Sequence, residues 1–170
     1  TQRGFKVTRL KVNNDGLISL DELAAAITPE TIIITIIYAN NEIGTIQNIA
    51  AATKIVRACT KPNRNIFFHT DACQATGNLS LSVETLGVDA MTINAGKIYG
   101  PKGIGALYIK QGIKIVPMLF GGGQEFRMRA GTENTANIVG LAEALKIAEQ
   151  NRIKENKRLT ALRDYFIKKL

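Results

Sequence analysis

The sequence predicts an α/β fold with a mostly parallel sheet and helices on both of its faces. Short apolar runs rich in β-branched residues alternate with segments of helical periodicity along the chain. Several of these runs have no polar alternation, which is typical of parallel strands buried on both faces. The length of 170 residues, of which 45% are hydrophobic and 21% charged, suffices for one domain with a substantial core.

The first third of the chain predicts two strands, a turn and a helix. A short strand is expected over residues 5–10, and the Asn13–Gly16 segment is typical of a turn. Ser19 and Glu22 have the spacing of a capping box, so a helix is expected to begin there. The β-branched run over residues 31–39 predicts a strand that is buried on both faces.

The middle of the chain predicts one helix and three strands. Four residues recur at helical spacing: Ile49, Ala52, Val56 and Cys59. The Lys61–Asn63 segment contains a proline and is expected to end that helix. Strands are expected over residues 66–70, 90–94 and 104–109, the last as a hairpin-like partner of its neighbour.

The last third predicts a glycine-rich loop over residues 121–132, a helix over 133–150 and a second amphipathic helix over 152–170. Residues 151–170 hold seven basic and two acidic residues, a net charge of +5, in a chain whose total is +8. This increase in charge density predicts a domain boundary near residue 151. We interpret the charged helix face as solvated, with a partner surface as the alternative.

The composition limits the classes of protein to which this chain could belong. No apolar run approaches the length needed to cross a bilayer, so no membrane span is expected. Cys59 and Cys73 are too few for a disulfide framework, which predicts a reducing, cytoplasmic setting. The basic tail carries no recognised groove-reading motif, so direct binding to nucleic acid is not expected. The chain begins without a methionine or an apolar signal segment, and we expect an internal fragment of a longer protein.

Polar residues follow three successive predicted strands. Asn40 and Asn41 follow the first long strand, Asp71 and Gln74 the second, and Asn94 and Lys97 the third. Ligands of doubly wound sheets bind at the carboxyl ends of the strands, so these side chains are expected to converge. Alone, Lys97 would be interpreted as a surface lysine and Asp71 as a turn residue. Together they predict a pocket for pyridoxal phosphate (PLP), in which the lysine forms a Schiff base and the carboxylate keeps the pyridine nitrogen protonated.

Other chemistries fit the sequence less well. His69, the only histidine, shares a strand face with Asp71, and it either contacts the cofactor ring or is a hydrogen-bonded core residue. With one histidine and two cysteines, no metal site is expected. The segment GPKGIGA lacks the spacing of an ATP-type phosphate loop, and no dinucleotide-binding glycine pattern follows a strand.

Four segments resemble, in this order, the PLP-dependent cysteine desulfurases of the class V aminotransferase group: ANNEIGTIQ, FHTDACQATG, KIYGPKGIGALYI and GGGQEFRMRAGT. The resemblance implies the PLP-dependent transferase fold of type I. Residues 1–150 would form part of the PLP-binding large domain, and residues 151–170 a helix leading into the C-terminal small domain. The implied reaction removes sulfur from L-cysteine and yields L-alanine and an enzyme persulfide for iron–sulfur cluster assembly or tRNA thiolation. A homodimer and a sulfur-acceptor or scaffold protein are the implied partners.

The resemblance also implies a role for each matching residue. Lys97 matches the Schiff-base lysine, Asp71 the partner of the pyridinium nitrogen, and Gln74 the residue that bonds the ring oxygen. Asn41 matches an asparagine beside the ring oxygen and the substrate carboxylate. Thr132 matches a threonine that reaches the phosphate of the neighbouring subunit.

The chain departs from the family just before the lysine. Where the family has Ser-Gly-His, this chain has Asn94, Ala95 and Gly96, and we expect the Asn94 amide and the Gly96 backbone to contact the phosphate. The persulfide cysteine and the ring-stacking histidine are expected outside residues 1–170, with Cys73 as a packing residue, so the isolated segment is expected to be inactive. Two alternatives stay open: another class V enzyme, such as a selenocysteine lyase or an aminotransferase, and a truncated non-catalytic copy that acts as a binding partner.

Overall fold

The computed structural model describes residues 4–60 and 65–170. Within these ranges the helices and strands are, in chain order, α1 (Leu20–Ala26), β1 (Ile33–Ile37), α2 (Ile49–Cys59), β2 (Phe67–Asp71), α3 (Val83–Leu86), β3 (Ala90–Asn94), β4 (Gly105–Ile109) and α4 (Thr135–Lys169). Two single-turn 3-10 helices lie at Ala95–Lys97 and Glu125–Arg127.

The described strands form one sheet in the order β1-β2-β3-β4. The first three are parallel, and β4 pairs antiparallel with β3. The register places Ile37 beside Asp71 and Asp71 beside Thr92. The prediction of a mostly parallel α/β sheet, with its last strand as a hairpin-like partner, is therefore confirmed. Because β1, β2 and β3 run in the same direction, their carboxyl ends share one edge.

The main core covers one face of this sheet. Phe68 of β2 and Val56 of α2 are fully buried, and Leu23 of α1 belongs to the same cluster. Burial of one such side chain stabilises the fold by roughly 1.5–3 kcal/mol. The alternate residues on the other face are more open, since Ile33 is 54% exposed and Leu107 is 49% exposed. Within the described residues, the main core therefore lies on one face of the sheet, and the other face is more open.

The two short helices near the amino end follow their sequence signals. The Ser19 hydroxyl accepts a hydrogen bond from the Glu22 backbone N–H at 3.2 Å, which begins α1 as predicted. The Asn48 side chain accepts from the Ala51 backbone N–H and begins α2. Cys59 ends α2 on the exposed side rather than in the core. The predicted stop at Lys61–Asn63 lies outside the described residues.

Two predicted strands differ from the structure. Residues 5–10 are not a strand, and Val7 is 62% exposed. An alternating pattern becomes a strand only where a neighbouring strand takes its backbone hydrogen bonds, and the backbone pairing described in this region is the isolated bridge between Val12 and Ile18. The run over residues 31–39 gives the shorter β1, which is an edge of the described sheet and is not buried on both faces.

The predicted break between two C-terminal helices is wrong. The single helix α4 passes through residue 151 without interruption. The Asn151 side chain donates to the Ile147 carbonyl one turn earlier, and Arg152 pairs with Glu149 at 2.9 Å. Residues 141–170 contain no glycine or proline that would end a helix, so the change in charge density alone does not break it. The domain boundary near residue 151 stays a prediction.

Candidate active site

The carboxyl edge of the sheet brings together residues from three loops. Asp71 and Asn94 are the last residues of β2 and β3. Lys97 ends the 3-10 turn that directly follows β3, and Asn41 lies in the turn that follows β1. Because these strands are parallel neighbours, the predicted convergence at one sheet edge is what the topology produces.

The backbone that carries Lys97 is held by several hydrogen bonds. The Asn94 side-chain oxygen accepts from the Gly96 backbone N–H at 2.7 Å, which caps the 3-10 turn. The carbonyl of the fully buried Ala95 accepts from the backbone N–H groups of Ile98 and Gly100. The lysine side chain is exposed at the end of this turn. An exposed amine therefore projects from a fixed backbone, which suits a group that must meet a bound ligand.

This arrangement bears directly on the predicted phosphate contacts. The Gly96 backbone N–H, one of the expected phosphate donors, already donates to Asn94. The side-chain NH2 of Asn94 is the remaining donor of that amide, because its oxygen is the acceptor in this bond. The expected roles of Asn94 and Gly96 stay predictions, with Asn94 as the better-placed donor.

Helix α4 packs closely behind the lysine turn. Leu141 and Ala144 contact the cluster formed by Ala95 and Ile98. A Cβ atom at Gly140 would lie 2.5 Å from Cγ of Pro101, closer than real Cβ contacts allow. The absence of a side chain at this position lets α4 approach the loop after Lys97 and support it.

The charges of Asp71 and Lys97 act on the Cys73 thiol in opposite directions. Burial raises its pKa to about 11, and hydrogen bonding to the Asp71 carboxylate and the charge of that carboxylate act in the same direction. The Lys97 ammonium opposes them and lowers the pKa. Asp71 also accepts from the Cys73 backbone N–H at 2.9 Å. The carboxylate and the amine, 26 residues apart in sequence, thus both act electrostatically on one sulfur.

His69 is a hydrogen-bonded residue of the sheet. Its Nδ1 lies 2.8 Å from the Thr35 hydroxyl, and its Nε2 lies 2.8 Å from the Thr92 hydroxyl. Burial lowers the pKa of His69, although the nearby charge of Asp71 raises it in part, and the net lowering favours the neutral imidazole. Sequence analysis did not single out the two threonines, because their partnership depends on the register of three strands.

The remaining predicted residues occupy loops. Gln74 is half-buried in a series of turns after β2, and Asn41 is exposed in a turn whose Asn40 side chain accepts from the Glu42 and Ile43 backbone N–H groups. Thr132 is exposed just before α4, where its carbonyl accepts from Arg129 at 3.4 Å. The structure thus places Thr132 in the loop before α4, beside Arg129.

Sequence analysis also missed an unusual backbone segment. Glu125, Phe126 and Arg127 have φ angles of 47°, 53° and 64°, and Tyr99 has a φ of 61°. Left-handed backbone at non-glycine residues is uncommon and costs roughly 1–2 kcal/mol per residue. Phe126 is 95% exposed and Tyr99 is fully exposed. Strain combined with exposed aromatic rings is typical of surfaces that contact another molecule.

No helix within the described ranges combines the length and the apolar character that a membrane crossing requires.

Two curated proteins with similar sequences are both named cysteine desulfurases. The cysteine desulfurase IscS of Dictyoglomus turgidum is 48% identical over 167 residues, which cover 98% of this chain and 41% of that protein. The cysteine desulfurase IscS of Methanosarcina thermophila is 46% identical over 168 residues, which cover 99% of this chain and 40% of that protein. This chain therefore spans less than half the length of these curated relatives.

Solved structures agree in fold. A NifS-like protein has a TM-score of 0.93 at 38% identity, covering 98% of this chain and 45% of its own. A structure described as SspA in complex with cysteine has a TM-score of 0.79 at 41% identity, covering 85% of this chain and 41% of its own. The sequence profile of the aminotransferase class-V family matches residues 1–170. Since that match extends over the whole sequence, this chain belongs to the aminotransferase class-V family.

Proposed function

We propose that this chain forms part of the PLP pocket of a cysteine desulfurase, within a protein of the length of its relatives. The observation that carries the proposal is that Asp71 ends β2 and Lys97 ends the turn directly after β3, so the carboxylate and the amine lie at the same edge of two neighbouring parallel strands. The relatives named as cysteine desulfurases and the similar structure described as a complex with cysteine support L-cysteine as the substrate.

The donor set suits this cofactor. Lys97 offers an exposed primary amine for the aldehyde carbon, and the carboxylate of Asp71 suits a protonated ring nitrogen. Gln74 and Asn41 offer amide groups for the ring oxygen and, in the case of Asn41, for the substrate carboxylate. Bound PLP would supply an electron sink for bond cleavage at the α-carbon of the substrate.

The phosphate would be held by one chain and its neighbour. The NH2 group of Asn94 would donate from the turn that its own oxygen caps, and the Gly96 backbone lies next to it. Thr132 would donate its hydroxyl from a neighbouring subunit. Asn94 and Gly96 would thus take the place of the serine and histidine that the family resemblance implies before the lysine.

The chain's own groups would carry out the proton steps. Lys97 would hold the cofactor through its amine and, when free, would move the proton at the substrate α-carbon. Asp71 would keep the ring nitrogen protonated. A cysteine thiolate elsewhere in the protein would attack the substrate sulfur, and as the carbon–sulfur bond breaks, the β-carbon would take a proton to give L-alanine. The sulfur would stay on the enzyme as a persulfide for an acceptor in iron–sulfur cluster assembly or tRNA thiolation.

We also propose a homodimer. Four apolar side chains between β4 and α4 are between 80% and 95% exposed: Val116, Met118, Phe120 and Phe126. A group of exposed apolar residues of this size is typical of a protein–protein interface. Thr132 lies in the same loop region, so a second copy packed on this surface would bring Thr132 towards the partner's pocket. Sedimentation analysis of the full-length protein tests this, and a monomer at all concentrations would contradict it.

For the cellular location and the domain arrangement, we propose what the sequence predicts. Cys59 and Cys73 are free thiols, which supports a reducing, cytoplasmic location. We propose that residues 1–150 belong to the cofactor-binding large domain and that residues 151–170 lead into a small domain, joined by the continuous helix α4.

Borohydride reduction tests the proposed function. The full-length protein is mixed with PLP, reduced and digested, and the modified peptide is identified by mass spectrometry. We expect a pyridoxyl group on Lys97 and turnover of L-cysteine to L-alanine, both of which Lys97→Ala should abolish. Lys102→Ala is the matched control, because Lys102 is an exposed lysine on the same loop. Label on another lysine, or turnover that survives Lys97→Ala, would overturn the proposal.

A further inference from the structure

The imidazole of His69 joins three parallel strands. Thr35 of β1 contacts its Nδ1 and Thr92 of β3 contacts its Nε2, each at 2.8 Å. A hydroxyl group can donate or accept, so both hydrogen bonds persist whichever ring nitrogen carries the proton. Rotation of the ring would break both bonds, and the imidazole is therefore fixed in the plane that the two threonines define.

Thr92 links this ring to the predicted cofactor residue. In the register of β2 and β3, Thr92 is the direct partner of Asp71, so their side chains stand next to each other on the same sheet face. The Thr92 carbonyl also accepts from the Ala72 backbone N–H at 2.9 Å, directly after Asp71. His69 thus fixes the side chain of Thr92, and the backbone carbonyl of Thr92 in turn holds the end of β2.

A direct effect connects His69 and Asp71 as well. The two residues are two positions apart on β2 and point to the same face. The charge of Asp71 acts on the imidazole strongly enough to oppose the effect of burial on its pKa. The arrangement is a polar row on a half-buried face, whereas the core face of the same strand is filled by Phe68 and Thr70.

We propose that His69 is a positioning residue for Asp71: held at both ring nitrogens by Thr35 and Thr92, it fixes Thr92 beside Asp71 and so orients the carboxylate that meets the cofactor's ring nitrogen. This inference rests on the proposed function. It assigns His69 no contact with the substrate or with the cofactor. A satisfied polar network of this kind rigidifies the groups it contains, and Asp71 lies beside its Thr92 end in the strand register.

The test removes one hydroxyl at a time in the full-length protein. Thr92→Val keeps the side-chain volume and deletes the bond to Nε2, while Thr92→Ser keeps a hydroxyl. Thr70→Val is the matched control, because its hydroxyl donates to the Ile36 carbonyl on the opposite face, directly before Asp71. The readouts are the dissociation constant of PLP, from fluorescence, and the pH midpoint of the visible absorption of bound PLP.

Thr92→Val should weaken PLP binding about two- to tenfold, as loss of one hydrogen bond predicts, and should move the pH midpoint by roughly 0.3–1 unit. Thr92→Ser should restore both values towards wild type, and Thr70→Val should leave the pH midpoint unchanged even if it lowers stability. His69→Gln should reproduce the effect of Thr92→Val if it folds. If His69→Gln does not fold, the comparison of Thr92→Val with Thr92→Ser still decides whether the positioning role is correct.

The outcomes separate this inference from the proposed function. Asp71→Asn is included as a reference, and its absorption spectrum should differ from wild type at all pH values. If Asp71→Asn alters the spectrum while Thr92→Val does not, the positioning role of His69 is wrong and the PLP pocket stands. Equal shifts in Thr92→Val and Thr70→Val would likewise overturn the positioning role. If Asp71→Asn has no effect, the proposed pocket itself is wrong.

Discussion

The guanidinium of Arg57 donates a hydrogen bond to the carboxylate of Asp89 across 2.6 Å. The same carboxylate oxygen accepts from the Phe68 backbone N–H at 2.8 Å, and Arg57 also donates to the Ile66 carbonyl. These bonds connect the end of α2 with the first residues of β2 and β3. They hold the amino edge of the sheet, opposite the edge that carries Lys97.

We expect Asp89→Asn to lower the free energy of unfolding by about 2 kcal/mol, because Arg57 loses its anionic partner in a largely buried site. The cost is limited because 34% of the Arg57 side chain is exposed. Urea denaturation of the full-length protein measures this change, and PLP binding by the folded variant should match wild type. Glu155→Gln is the control, since its pair with Arg158 is exposed and should contribute little. Equal losses in the two variants would contradict the prediction.

Gly140 gives a second prediction, concerning the support of Lys97. Alanine usually stabilises a helix relative to glycine by up to about 1 kcal/mol. At position 140, however, the new Cβ would meet Pro101 at 2.5 Å, and such overpacking costs about 1–3 kcal/mol. We therefore expect Gly140→Ala to lower the thermal midpoint and to weaken PLP binding, because α4 must move away from the loop after Lys97.

Gly123→Ala is the matched control for this variant. A Cβ atom there would meet its nearest neighbour, Arg127 Cγ, at 3.8 Å, which is an ordinary contact. Calorimetry and PLP titration should show a loss for Gly140→Ala and little change in the thermal midpoint for Gly123→Ala. A more stable Gly140→Ala variant would show that α4 does not pack as described.

Local sequence patterns predicted the middle of the fold well. The strands that end at Asp71 and Asn94 are apolar runs followed by polar residues, and α2 has an unbroken helical spacing. These signals involve neighbours in sequence, so they can be interpreted without the tertiary structure. The convergence at the carboxyl edge then follows from parallel pairing alone.

Most of the features that the sequence did not predict depend on contacts between residues far apart in the chain. The open face at Ile33 reflects which strands and helices lie next to β1, and the bonds of His69 depend on the register of strands that are 34 and 23 residues apart along the chain. Helix α4 continues through Asn151 because charge density does not determine helicity. The commitment of the Gly96 N–H to Asn94 is a local bond, and an asparagine directly before a tight turn was the signal that could have revealed it.

The Cys73 thiol gives a prediction about pH. Burial and Asp71 raise its pKa from the ordinary value of 9.0 to about 11, so its thiolate fraction at pH 8 should be roughly one hundredth of that of an ordinary cysteine. Alkylation with iodoacetamide, followed by peptide mapping, should therefore modify the exposed Cys59 first. The rate at Cys73 should rise with pH through the range from 9 to 11. Fast modification of Cys73 at pH 7 would contradict this and would identify Cys73 as a reactive thiol rather than a packing residue.

Asn94 provides the last prediction, because it combines a structural and a binding role. Its side-chain oxygen caps the turn that carries Lys97, and its NH2 group is the proposed phosphate donor. Asn94→Ala should cost about 1 kcal/mol of stability, since the Gly96 N–H loses its acceptor, and it should also weaken PLP binding. Asn94→Ser keeps an acceptor for the cap and a hydroxyl donor for the phosphate, so it should stay near wild type in both. Urea denaturation and PLP titration on the same samples separate the two roles. If Asn94→Ala loses stability but binds PLP normally, the capping role of Asn94 is supported and its proposed role as a phosphate donor is wrong.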